Sequence, residues 1–530
     1  MPALRAAAPS VRWRSGGGAP GARTKTRTHL HQQRATTTGA DSAATFKKAG
    51  FWAHRKILAE TTNKPPKAAA PPPESGGDLL NIESFGAVGD GRSDDTKAFL
   101  NAWAKACSSP QPAVLVVPAG KKYLIKETPL SGPCKSEITF QIDGTLVAPE
   151  DKSNWNKQGY PHWISFTNVD RLTVTGKGTL DGTGKSSWKN SCRVNKKNPC
   201  TIAPAALTFT SCNHIKVQGI KLLNSPQVHL DIQYSKDVTL TDITITSPSS
   251  APEADGIHLW NSEDIRIIKP VIKSGDDCIS IATGVKNLYA YKVECGPGHG
   301  ISIGSLGKGN SKAEVSNITI DSAHVTGTLY GARIKTWQGG SGYAKDIKFL
   351  NMVMDKVKHP IYIDQYYCNQ MDPTNPNPCE EQKSAVEISN VLFKNIKGTG
   401  TTKDVISIHC SKSFPCREVV LQEIDLKMKG KKNAAMSSCD RIWRVLFLHC
   451  RRLDMKGSGT TKDVISLHCS KSFPCQDVVL QDIDLKMKGG AKKTISSYEN
   501  VMLKQSSNVS PAPCTSVVTK KDHVPEDNND

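Results

Sequence analysis

His214-Ile215-Lys216-Val217, Asp237-Val238-Thr239-Leu240, Asp264-Ile265-Arg266-Ile267 and Asn317-Ile318-Thr319-Ile320 are versions of one short phrase. A polar residue is followed by apolar residues at alternating positions, the period of a strand that buries one face. The first apolar residue of the phrase recurs at Ile215, Val238, Ile265, Leu288, Ile318, Ile347, Val391 and Val419, so most steps fall between the 23 from Ile215 to Val238 and the 30 from Leu288 to Ile318. The exception is the wider step from Ile347 to Val391. Periods of about 20–30 residues signal a solenoid. The strands are short, β-branched and bounded by Gly, Asn and Ser, with no helical pattern between them. A leucine-rich repeat needs a denser Leu consensus, and a propeller needs longer blades. The expected fold is all-β: a single-stranded right-handed parallel β-helix, with a short capping helix at its N-terminal end.

Working outward, Phe85-Gly86-Ala87-Val88-Gly89-Asp90-Gly91 reads as a strand followed by turn residues. Asp94 or Asp95 is placed to cap a helix running through Ala98, Phe99 and Trp103 to Cys107. The 530 residues would, on length alone, divide into several domains. The repeat merges them into one elongated domain over 79–515. Residues 1–78, rich in Arg, Ala and Pro, are expected to be disordered, as are 516–530. Near the C-terminus, 398–430 and 457–489 match at a constant offset. They differ only at Thr399/Ser458, Ile408/Leu467, Arg417/Gln476, Glu418/Asp477 and Glu423/Asp482. The offset extends the duplicated segments to 398–439 and 457–498. This copy is expected either to add coils or to protrude as an insert. The bridge Arg441–Arg452 is basic and apolar together, which fits a buried or misjoined strand better than a binding element.

Lys and Arg number 69 against 49 Asp and Glu, a net charge of +20 that points to an anionic partner. Positions 1–60 hold 11 of the cations and, as acids, only Asp41 and Glu60, so +9 of the excess lies outside the folded body. No recognition motif or aromatic-interleaved basic patch accompanies it, which argues against nucleic acid. No apolar run approaches the roughly 20 residues of a membrane span. The N-terminus has the Arg-rich, acid-poor composition of a transit peptide or a solvated tail, and no apolar core of a secretory signal is visible in it.

The 16 cysteines include no Cys-x-x-Cys and no zinc-finger array, so no metal is expected. Short-range pairs, Cys192/Cys200, Cys368/Cys379, Cys410/Cys416 and Cys469/Cys475, suit loop-closing disulfides of an oxidising compartment.

Chemistry concentrates between 255 and 335. Asp255, Asp277 and His299 follow one another at a constant interval, within Asp255-Gly256-Ile257-His258, Gly275-Asp276-Asp277-Cys278 and Gly296-Pro297-Gly298-His299-Gly300. If one coil takes that length, the three stack on consecutive rungs about 4.8 Å apart. Arg333 and Lys335 add cations in the next coil. Crowded carboxylates raise at least one pKa, leaving a proton donor beside ionised acceptors, as glycoside hydrolysis requires. Arg333 and Lys335 suit a substrate carboxylate. Together they call for an acidic polysaccharide.

These motifs resemble the polygalacturonases, the pectin-degrading family of parallel β-helix glycosidases, in their plant branch. The carriers are Gly275–Cys278, Cys295–Gly307 and Arg333-Ile334-Lys335-Thr336, supported by Phe85–Thr96, Leu223-Asn224-Ser225-Pro226 and Pro360–Cys368. The Trp188–Cys212 region looks most like pollen-type exopolygalacturonases. The resemblance spans about Ile82 to Cys416 and continues into the repeats. It implies α-1,4 galacturonan hydrolysis with inversion, exo action favoured, in a secreted cell-wall monomer without cofactor. By the same resemblance, Asp276 is the general acid, and Asp277 with Asp255 positions and deprotonates water. His299 tunes the acid. Arg333, Lys335, Tyr367 and Asn224 bind substrate, and Cys278 pairs with Cys295.

One departure stands out. The family reads Ser-Pro-Asn-Thr-Asp-Gly where this chain has Ala251-Pro252-Glu253-Ala254-Asp255-Gly256. Glu253 adds a negative charge beside an anionic substrate, and at about 5 Å the repulsion is on the order of 3 kcal/mol for an effective dielectric of 20. The expectation is impaired hydrolysis or altered specificity, with a non-catalytic pectin-binding wall protein as the alternative.

Overall fold

The computed structural model describes residues 77–151, 155, 162–198, 200, 202–368, 380–402 and 404–428, and then strands Met436–Asp440, Val445–Leu448, Asp463–His468, Cys475–Asp484, Ile495–Glu499 and Val501–Ser510. The expected tails, 1–78 up to residue 76 and all of 516–530, lie outside the described residues, as do Cys379, Cys469 and the side chain of Cys475. Asp78 already begins the first strand, Asp78–Asn81, which pairs with Ala113–Val117.

The eight expected strand starts form one unbroken parallel register. Ile215 lies beside Val238, and the line continues through Ile265, Leu288, Ile318, Ile347, Val391 and Val419. None is more than 2 % exposed. Burying a side chain of this size stabilises by about 1.5–3 kcal/mol before chain entropy is counted. A column of stacked branched aliphatics therefore holds each coil to the next.

The polar residue before each start has its own reason. His214, Asp237, Asp264, Asn287, Asn317, Asp346, Asn390 and Glu418 all have φ between 52° and 59°. The chain turns a corner there through a single left-handed residue, a conformation that Asn and Asp tolerate best. Corner amides bond from coil to coil: Asn287 donates to Asp264 and Asn317 donates to Asn287, each at 2.9 Å.

Each coil contributes a strand to each of three parallel ladders. In one coil, Lys236–Thr241 lies in the first ladder, Thr244–Thr246 in the second, and Leu230–Gln233, which precedes them in the chain, in the third. Ile257–Trp260, Glu263–Ile268 and Val271–Lys273 make the next, paired strand for strand. The stack is the expected parallel β-helix, wound right-handed as parallel crossovers are. A departure from the short-strand reading is Glu387–Gly400, a single 14-residue strand that serves two ladders at once.

Helix Thr96–Ser108 closes the N-terminal end. Ala98, Phe99, Ala102, Trp103 and Ala106 are buried at helical spacing, with Phe99 against Phe140 and Trp103 against Phe166. Its capping differs from expectation. Asp95 holds the cap position without capping, because its carboxylate accepts instead from the Val88 and Gly89 amides. Asp94 accepts from the Thr96 amide at 3.1 Å.

Of the disulfides, Cys192–Cys200, Cys278–Cys295 and Cys410–Cys416 form as expected. Cys107–Cys134, which no short-range pattern announced, ties the cap to the first coils. Cys368 is disulfide-bonded, and Cys212 is buried and free.

The duplicated segments take equivalent places. Asp404–His409 and Asp463–His468 both lie in the third ladder, as do Met436–Asp440 and Ile495–Glu499. The offset between the copies spans two coils. Within the bridge 441–452, Val445–Leu448 is a strand of the first ladder, between 419–422 and the 475–484 strand.

Candidate active site

The site grows on the third ladder, whose strands alternate side chains directed into the core with side chains directed outward into a buried polar layer. Ile257, Ile279, Ile301 and Ala332 align inward. The next position outward aligns Asp231, His258, Ser280, Ser302 and Arg333. His258, Ser280 and Ser302 follow one another at the same interval as the acids, so a signal for the two serines was present in the sequence.

The expected rung order needs one correction. Ile279 pairs with Ile301, but Asp277 pairs with Gly300, a register shift at Cys278. His299 therefore sits beside Asp276 and not over Asp277. Its Nδ1 lies 2.6 Å from Asp276 Oδ1, and its amide donates to the Asp276 carbonyl at 2.7 Å. The Asp277 amide also donates to Asp276 Oδ1, which leaves Oδ2 for a bound group. Glycines on either side of the pair permit close backbone packing there. A Cβ on Gly275 would lie 1.9 Å from the Ala251 carbonyl oxygen, and Gly298 has φ +142° with the Asp276 oxygen 2.6 Å from where its Cβ would be.

Two of the carboxyls, Asp277 and Asp255, occupy opposite electrostatic states. Asp277 is 2 % exposed. Its Oδ1 accepts from Arg333 Nη2 and Ser302 Oγ at 2.7 Å each, and Oδ2 accepts from Lys335 Nζ at 3.0 Å. Burial opposes its ionisation, but Lys335 and Arg333 together outweigh it and hold the carboxyl far below the usual range. Asp255 shows the opposite case. Burial first, then the negative charges of Asp276 and Asp277, push its pKa well up, and a hydrogen bond from Ser280 at 2.6 Å only partly offsets them. Ser280 in turn meets His258 Nδ1 at 2.7 Å. Burial lowers the His258 pKa, so the ring is neutral at pH 7.

Asp276, Asp277 and His299 offer ligand atoms within 4.8 Å of one another. Arg333 and Lys335 already neutralise Asp277 there, a poor setting for an added cation.

The cluster opens on a cleft with two halves. The larger, 760 Å³, is lined by Asp231, Asp255, His258 and Trp260. The smaller, 410 Å³, is lined by Arg193, His299, Tyr330, Arg333 and Tyr367. Glu253, Asp276 and Lys335 border both. Tyr330 stacks on the Arg333 guanidinium at 4.0 Å, and the Tyr367 ring lies 5.4 Å from Lys335 Nζ.

Asn224 is not brought to this cleft. It turns a corner with φ 49°, and its amide donates to Asp181. The negative charge expected at Glu253 borders the cleft and is paired: Arg193 Nε lies 2.9 Å from its carboxylate. Sequence reading missed Asp231 as well. It is 3 % exposed, burial raises its pKa, and its Oδ1 has no hydrogen-bond partner among the described residues.

The model of the family described as "Glycosyl hydrolases family 28" matches residues 107–445. A polygalacturonase of Persea americana is 46% identical over 363 residues, covering 68% of this chain and 77% of that protein. Polygalacturonase-2 of Solanum lycopersicum is 46% identical over 348 residues, covering 66% and 75%. Among solved structures, a hyperthermoactive exopolygalacturonase from Thermotoga maritima superposes with a TM-score of 0.57 at 21% identity, over 71% of this chain and 92% of that one.

Proposed function

The chain belongs to glycosyl hydrolase family 28, and on that premise we propose that it cleaves α-1,4 links between galacturonic acid units of polygalacturonan with inversion of configuration. The observation that carries this reading is the split among three adjacent carboxyls. One is ionised and locked to two cations, one is pushed towards its protonated form, and one leaves an oxygen open to the cleft. The plant polygalacturonases at 46% identity supply the substrate class.

Asp276, with Oδ2 uncommitted and His299 on Oδ1, protonates the leaving glycosidic oxygen. Asp255 takes the proton of the attacking water. Its raised pKa makes it the stronger base of the remaining two, and it acts only once ionised. Asp277, committed through both oxygens, orients that water and anchors Arg333 and Lys335. Lys335 uses one of its three donors on Asp277, and Arg333 keeps donors beyond those given to Asp277 and Ser302. These face a uronate carboxylate, with Tyr367 alongside.

Exo action is part of the proposal. Support comes from the resemblance of the Trp188–Cys212 region to exopolygalacturonases; within it the Cys192–Cys200 disulfide flanks Arg193, which pairs with Glu253 at the smaller half of the cleft. Proton NMR of polygalacturonate digestion tests both features. Inversion releases the β-anomer first, and exo action yields monomer from the earliest time points. An initial α-anomer, or a ladder of mixed oligomers, contradicts the respective assignment.

Secretion to the cell wall as a monomer is proposed with this function. The disulfides fit an oxidising compartment, and no helix among the described residues is long and apolar enough to cross a membrane.

A further inference from the structure

Arg193 and Glu253 are far apart in sequence and come from different coils, yet they meet at the cleft. Arg193 follows Cys192 in the loop closed by Cys192–Cys200, while Glu253 lies just before Ala254 and Asp255. Both line the smaller half, as do Arg333 and Lys335. The two sets of cations differ in how they are held. Arg333 and Lys335 have side-chain exposures of 6 % and 11 % and grip a carboxylate that is 3 % exposed. Arg193 and Glu253 are 35 % and 42 % exposed. A half-exposed pair is weak and screened by water, so it opens readily, whereas the buried set stays closed.

We propose that Arg193 is a switchable uronate-binding cation, held by Glu253 in the free protein and handed to a substrate carboxylate on binding. Glu253 thus imitates a uronate carboxylate at the rim and competes with it. The exchange replaces one carboxylate on Arg193 by another and moves no proton. A free uronate unit competes for Arg193; a methyl-esterified unit has no charge with which to do so. The pair therefore sets the preference for free over esterified units at this half of the cleft. This inference rests on the galacturonan reading of the site and names two specificity residues within it.

The test is KM and kcat of the full chain on polygalacturonate and on highly methyl-esterified pectin, for wild type, Glu253→Gln, Arg193→Gln and the double variant. Gln is chosen over Asn because Asn would also relax the backbone at position 253, where φ is +54°. On polygalacturonate, Glu253→Gln lowers KM about two- to five-fold and Arg193→Gln raises it by a similar factor, the range of an exposed ion pair. In both, kcat is unchanged. The double variant loses the gain of Glu253→Gln, and KM on esterified pectin stays level throughout. Equal shifts on both substrates, or unmoved KM values in an active enzyme, overturn the inference and leave the function reading intact. A wild-type chain inert towards polygalacturonate removes both.

Discussion

At the scale of single residues, two neighbouring carboxyls have opposite effects on stability. Replacing Asp277 by Asn leaves Arg333 and Lys335 buried without their counter-charge, and the expected cost is about 3–5 kcal/mol in urea unfolding. Asp255 has a folded pKa raised above its unfolded value, so its stability contribution is present at low pH and is lost as pH rises through the folded pKa. Asp255→Asn is therefore expected to abolish hydrolysis while raising the melting temperature, by more at pH 7 than at pH 4. A lower melting temperature at pH 7 would show that the carboxyl is not strained there. The acids and cations of this site could be read from sequence, because their types and their even spacing carry chemical meaning. Ser280 and Ser302 share the spacing but look like ordinary strand serines until their bonds to Asp255 and Asp277 are seen. Spacing alone sets His299 over Asp277 when its partner is Asp276, because a register shift at Cys278 has no composition of its own.

At the scale of the coil, the corner residue decides whether the chain can turn. Asn287 combines φ 58° with a bond to Asp264. Asn287→Ala is expected to cost about 1–2 kcal/mol, since alanine is strained in the left-handed backbone and lacks the amide. Asn287→Gly, free of the backbone penalty, should cost less. Thermal melts of the two variants check the order, and equal losses would assign the whole effect to the side-chain bond. The strand starts were legible because alternation with a buried face is a strong pattern, and all eight fall in register. The length of Glu387–Gly400 was not, because Asn395 and Gly398 inside it look like turn residues. In fact, Asn395 takes the corner φ of 51° while pairing continues on both sides.

At the scale of the whole molecule, a solenoid is a line of nearest-neighbour contacts. The candidate site occupies the coils from Asp231 to Tyr367, and the duplicated coils lie beyond it. Excising 440–498 removes two coils and joins equivalent points of the repeat. The shortened chain is expected to keep wild-type kcat and KM, and loss of activity with retained folding would tie the duplication to function. The charge of +20 also reads differently at this scale. The described site holds its cations in pairs with Asp277 and Glu253, so under the proposed function an acidic polymer is met by a few placed groups and not by bulk basicity.

The claim that this column is the machinery of a galacturonan hydrolase meets its most direct test in one variant. Reducing-end release from polygalacturonate is measured for the wild-type chain and for Asp276→Asn, with folding of both verified by circular dichroism. The expected result is robust release by wild type and a loss of about 10²–10⁴-fold in kcat for the variant, the usual contribution of a general acid. An inert wild type, or a folded Asp276→Asn that matches it, would contradict the assignment.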